Sequence, residues 1–83
     1  MKYEFSQHAR DALAERGIPT EWVERALDNP ERTERDSDDP KLTHRLTVIP
    51  EHGNRVLRVV VNEQANPPRV VTVYFDRKMK GRL

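Results

Sequence analysis

The sequence predicts an α+β fold, with two short N-terminal helices forming an αα-hairpin on one face of an antiparallel sheet of three to four strands. Three observations carry this. Apolar stripes at helical spacing are confined to residues 7–28, and three β-type runs fill residues 42–77. The connections between those runs are short, so the strands follow one another as a meander. Eighty-three residues at 35% hydrophobic content make one domain, residues 1–83, with one modest core.

Residues Lys2 to Ser6 read as a short strand or an extended lead-in. Ser6 is placed to cap a first helix, Gln7 to Arg16, by accepting from an N–H that the first turn leaves without a partner. Ala9, Ala12, Leu13 and position 16 recur at helical spacing. Gly17 supplies the left-handed residue beyond the helix end, and Ile18 folds back on Leu13 as in a Schellman cap. Pro19 stops the helix and Thr20 caps a second, Glu21 to Asp28, whose apolar face is Trp22, Val23, Ala26 and Leu27. Asn29-Pro30 ends it. The polar stretch Arg32 to Lys41 reads either as an edge strand and loop or as a mobile segment. Strands are then expected at Leu42 to Ile49, Arg55 to Asn62 and Arg69 to Arg77, with a turn at Glu51-His52-Gly53-Asn54 and a loop stiffened by Pro67-Pro68. Residues 78–83 read as a flexible basic tail, and the run Arg77-Lys78-Met79-Lys80-Gly81-Arg82 reads either as solvated or as the electrostatic handle for RNA.

Side-chain alternation assigns the faces. Val71, Val73 and Phe75 share one side of the last strand, and Leu57, Val59 and Val61 the greasier side of the one before it. With the helices over these, the opposite face shows Arg58, Thr72 and Tyr74. Arg45, with Thr43 and Thr47, joins them if Leu46 and Val48 point inward. An arginine, hydroxyl and aromatic patch of this kind suits phosphate and base recognition.

Charge narrows the function classes. Fifteen Lys and Arg balance fourteen Asp and Glu for a net charge of +1, so any nucleic-acid contact must come from a local cluster rather than a global field. Eleven of the fifteen cations are arginine, the better bidentate phosphate ligand. Without cysteine there are no disulfides or thiolate metal sites, and three scattered histidines do not suggest a metal centre. No cofactor motif is present. The lack of a long apolar run or signal-peptide core leads to the expectation of a cytoplasmic protein with no membrane contact.

His8 stands in the first turn of the first helix, where the dipole favours a neutral ring able to accept a proton. It reads as a general base or as a histidine that locks the helix start. Arg16 falls within the apolar stripe, where it can snorkel, bond the last carbonyls or pair with Asp76 or Glu15. Arg58 reads equally as an anion contact and as a cross-strand partner of Asp76 or Glu63. Strand propensity alone accounts for Thr72 and Tyr74. His44 and His52 read as incidental, one in a strand and one in an exposed turn.

The order F-S-x-H-A, E-R-G-I-P, W-V-x-x-A-L-x-N-P, L-R-V-V-V and V-V-T-V-Y-F-D-R, from Phe5 to Arg77, resembles Domain of Unknown Function 4258, a family of small bacterial proteins. That family is similar in layout to RelE-like and barnase-like ribonuclease folds. The resemblance implies a metal-independent endoribonuclease of toxin type, in which a ribose 2′-hydroxyl attacks the adjacent phosphate. Such chemistry needs a base, an acid and cations for the phosphorane charge. The positions matching the pattern imply catalytic roles for His8, Arg58 and Tyr74, with Thr72, Arg16 and Arg45 on the substrate. Partners expected on this basis are RNA or the ribosome, together with a cognate antitoxin or a second copy. A binding module for RNA or protein that keeps the fold without the chemistry is the competing expectation.

Overall fold

The computed structural model describes residues 3–83. Two helices, α1 (Gln7–Arg16) and α2 (Thr20–Asp28), cover one face of a five-stranded sheet. Its strands are β1 (Glu4–Phe5), β2 (Arg32–Arg35), β3 (Leu42–Ile49), β4 (Arg55–Asn62) and β5 (Arg69–Phe75), ordered β1-β5-β4-β3-β2. The α+β class and the αα-hairpin are as expected. The sheet differs from the expected three or four antiparallel strands, because β1 pairs parallel to β5 and makes it mixed. Two residues are too few for a periodic signal. Glu4 N–H to the Pro68 carbonyl and Ser6 N–H to the Val70 carbonyl, each 2.9 Å, hold that strand in place. Lys2, the expected start of the lead-in, lies outside the described residues.

Both ends of α1 follow from local chemistry. The Ser6 hydroxyl accepts from Ala9 N–H at 3.0 Å and donates to the Val71 carbonyl at 2.8 Å. Gly17 adopts φ 61°, and Ile18 N–H returns to the Leu13 carbonyl at 3.0 Å, completing the Schellman turn. Helix α2 begins at Thr20 itself, with Pro19 as its cap and no side-chain bond, so the expected threonine cap is not formed. The polar stretch after it splits into the edge strand β2 and a loop in which the Asp36 carboxylate accepts from the N–H groups of Asp38 and Asp39. A 3-10 turn, η1 (Pro50–His52), joins β3 to β4. Another, η2 (Arg77–Met79), follows β5 and packs against β4.

The core lies between the helices and β3, β4 and β5, around Ala9, Val23, Ala26, Leu27, Ile49, Leu57, Val59, Val61, Val70 and Val73. One expectation of parity fails on β5. A register shift pairs Val60 with Thr72 but Val61 with Val70, so Val71 is the extra residue of a bulge. Val70 takes the buried inward place, and the carbonyl of Val71 finds Ser6 instead of a strand. Parity on β3 is the reverse of the arrangement needed to bring Arg45 beside Arg58. Leu46 sits opposite Arg58, and Arg45 opposite Val59. Arg45 is therefore on the helix side, with Thr43 and Thr47.

Candidate nucleic-acid interface

Arg58 is held by carboxylates on the sheet face away from the helices. Its Nε and Nη2 donate to Asp76 Oδ2 at 2.9 and 2.8 Å, and Nη1 donates to Glu34 Oε1 at 3.1 Å. Nη1 also donates to His44 Nδ1 at 2.8 Å, while His44 Nε2 meets Asp36 Oδ1 at 2.7 Å. A guanidinium is only a donor, so Nδ1 carries the lone pair and Nε2 the proton. Burial works against the Arg58 charge, but hydrogen bonds to Asp76 and Glu34 outweigh it and raise the pKa further above its ordinary value. Asp36 is held below the usual carboxylate range by the Asp39 N–H, His44 and the Asp38 N–H. The side chain is 11% exposed, and four of its five N–H donors are taken up by protein. Of its two sequence readings, the cross-strand partner of Asp76 is the one formed.

A different set of cations is free to meet a ligand. At the C-terminal end of β5 a cleft of about 450 Å³ is lined by Arg16, His52, Arg55, Tyr74, Phe75 and Arg77. Arg16 reaches it from the last turn of α1, its Nη1 donating to the Val73 carbonyl at 3.4 Å along the β5 edge that β1 leaves uncovered. Arg55 enters from the first residue of β4 and Arg77 from the first of η2. Among the described residues none of these three arginines makes an ion pair with a carboxylate. No carboxylate lines this cleft.

The aromatic side of the cleft is built by η1. Gly53 and Asn54 turn the chain with φ 64° and 58°, which returns Arg55 beside His52, so that Arg55 Nη1 donates to His52 Nε2 at 3.2 Å. The His52 ring stacks on Phe75 at 4.7 Å, and the Arg55 guanidinium lies 4.9 Å from the same Phe75 centroid. Trp22 meets both rings from α2. Arg25 grips Glu51 with two bonds, 3.0 and 2.8 Å, and pulls that carboxyl down to about 2. The histidine is thereby tied to the helical layer through its neighbour.

The structure scatters the residues that sequence grouped together. His8 is exposed on α1, on the helix side, while Arg58 projects from the other face, so those two do not share a site. Tyr74 lies opposite Arg58 and lines the cleft, where Arg16 also arrives. Thr72 stands on the Tyr74 face beside Val60. Arg45 is committed elsewhere, donating to the Leu27 carbonyl and to Glu63 Oε1, each at 2.8 Å. Sequence reasoning gave no role to Arg55 and read His52 as incidental, whereas Arg77 belongs to the C-terminal basic run that the sequence offers as an electrostatic handle. The available signal was the Gly53-Asn54 turn, which makes positions 52 and 55 neighbours. Among the described residues no three His, Cys, Asp or Glu side chains are grouped to hold a metal ion, and no helix is long and apolar enough to cross a membrane.

Fold and cleft together define a small α+β protein with an arginine-rich groove at one end of its sheet. The family model described as Domain of unknown function (DUF4258) matches residues 5–75, and the chain belongs to that family. No curated protein and no solved structure matches it.

Proposed function

We propose that the cleft at the end of β5 grips the phosphodiester backbone of single-stranded RNA. The observation that carries this reading is the convergence of Arg16, Arg55 and Arg77 on one open groove without a carboxylate among its lining residues. Guanidinium groups offer paired donors that match phosphate oxygens, and a local cluster of this kind does not require a basic protein. Tyr74 and the edge of the His52–Phe75 stack give a base an aromatic neighbour.

Cleavage at the same place is the second reading, favoured by two groups able to move protons, His52 and Tyr74, next to the arginines. In this version His52 replaces His8 as the base once substrate phosphate draws Arg55 away from its Nε2, and the arginines carry the phosphorane charge. The 2′-hydroxyl gives its proton to His52 as its oxygen bonds to phosphorus, the P–O5′ bond breaks, the 5′-oxygen leaves with a proton from Tyr74, and a 2′,3′-cyclic phosphate remains.

Binding is tested by fluorescence anisotropy of a labelled single-stranded RNA across a salt series. Affinity should fall with salt at a slope of roughly 0.7 per phosphate contacted. Arg16→Ala, Arg55→Ala and Arg77→Ala should each weaken binding and flatten that slope, and His8→Ala should do neither. Absence of binding at low salt, or slopes indifferent to the arginines, would overturn the reading. Mapping of 5′ ends on free and ribosome-bound RNA decides between the two versions. Cuts lost in His52→Ala and kept in His8→Ala establish cleavage, and uncut RNA leaves a binding module.

A further inference from the structure

A second cavity, of about 330 Å³, lies beside the cleft and is lined by Arg55, Asp76, Arg77 and Lys80. Two of its cations, Arg55 and Arg77, also line the first cavity, so the pair of cavities makes one continuous track rather than two separate sites. We propose that this second cavity is a subsite for the neighbouring phosphate, and that the protein takes oligonucleotides carrying at least two consecutive phosphates. The proposal rests on the cleft binding RNA, as argued above.

The one anionic lining residue does not spoil the subsite. Asp76 Oδ2 receives two bonds from Arg58, and Oδ1 accepts from Lys78 N–H at 3.0 Å. Its charge is offset by the Arg58 guanidinium, which it shares with Glu34, and Arg55, Arg77 and Lys80 outnumber it around the groove. The carboxylate instead caps η2, fixing the short turn that carries Arg77 on its first residue and is followed directly by Lys80. Lys80 is exposed and makes no ion pair among the described residues. A shared pair of arginines flanked by Arg16 on one side and Lys80 on the other suits a chain of anions passing through. A single phosphate would engage only half of it.

The test is a titration followed by NMR with 2′-O-methyl uridine oligonucleotides, which cannot be cleaved through the 2′-oxygen and carry no terminal phosphates. A dinucleotide offers one phosphate, a trinucleotide two and a tetranucleotide three. Affinity should rise about tenfold from one phosphate to two, the size expected for one added charged hydrogen-bonding contact, and by less from two to three. Lys80→Ala should abolish the first step, with the trinucleotide losing far more affinity than the dinucleotide. Lys41→Ala, at the far end of the sheet, should keep the step and so control for net charge. If all lengths bind equally, or the step survives in Lys80→Ala, the subsite is overturned and the cleft reading stands. If no length binds, the cleft reading fails and the subsite fails with it.

Discussion

Asp76 borders an anion track and is itself an anion, and these two facts give opposite signs for its removal. Field strength alone predicts that Asp76→Ala binds RNA more tightly, because a negative charge leaves the neighbourhood. The hydrogen bonds predict the reverse, because Asp76 joins Arg58 to Lys78 N–H and so holds the turn bearing Arg77. We expect the positional effect to win, with affinity falling about fivefold, the equivalent of one ordinary hydrogen bond. Tighter binding in an anisotropy titration would refute it. Arg58 itself belongs to stability. Arg58→Ala strands Asp76 at the sheet and leaves Glu34 with Arg32 alone, and a broken, largely buried pair costs about 3 kcal/mol, a large share of the marginal stability of a domain this small. Exposed Arg77→Ala should stay within about 0.5 kcal/mol of wild type. Urea denaturation of both variants checks the contrast, and equal losses would contradict this division of labour.

At the scale of elements, α1 is secured at both ends by single residues. Ser6→Ala removes the acceptor for Ala9 N–H and the donor to the bulged Val71 carbonyl, and should cost about 1–2 kcal/mol in urea or thermal unfolding. Gly17→Ala meets open space but must hold a left-handed φ, and should cost about 1 kcal/mol, with Gly17→Asn less affected. Both caps were legible in sequence because their partners lie within a few positions. The bulge was not, because it is defined by what β4 and Ser6 offer to Val71 from elsewhere in the chain. Arg45 illustrates the same limit. Leu42 to Ile49 has apolar residues in both parities, and the inward choice became affordable only through the Leu27 carbonyl at the end of α2 and the Glu63 carboxylate. The cleft was half legible: Arg16 and Tyr74 were singled out from their own strings. Arg77 stood out as the start of the C-terminal basic run, but His52 and Arg55 acquire meaning only once a turn and a strand end meet.

Across the whole molecule, one exposed ion pair ties the helical layer to the groove, and its pH dependence can be worked out. Glu51 is drawn from an ordinary 4.5 to about 2 by Arg25, and Asp36 is shifted in the same direction by the Asp39 N–H, His44 and the Asp38 N–H. A carboxyl whose pKa is lower in the folded state binds protons more readily when unfolded. The stability it contributes is therefore complete above pH 4.5 and is lost as the pH falls toward about 2. Arg25→Ala should be less stable than wild type near neutrality, and the gap should close across that window. Both side chains are substantially exposed, 39% and 51%, so the gap is small and should shrink further in salt. Urea midpoints followed from neutral pH into acid read this directly, and a gap that does not change with pH would refute the assignment. Because Glu51 precedes His52 in η1, the same variant should also alter the ring-current shifts of the His52–Phe75 stack near neutrality. An unmoved stack would mean that Trp22 and Arg55 hold His52 without help from the ion pair, which would confine the pair to stability and separate it from the groove.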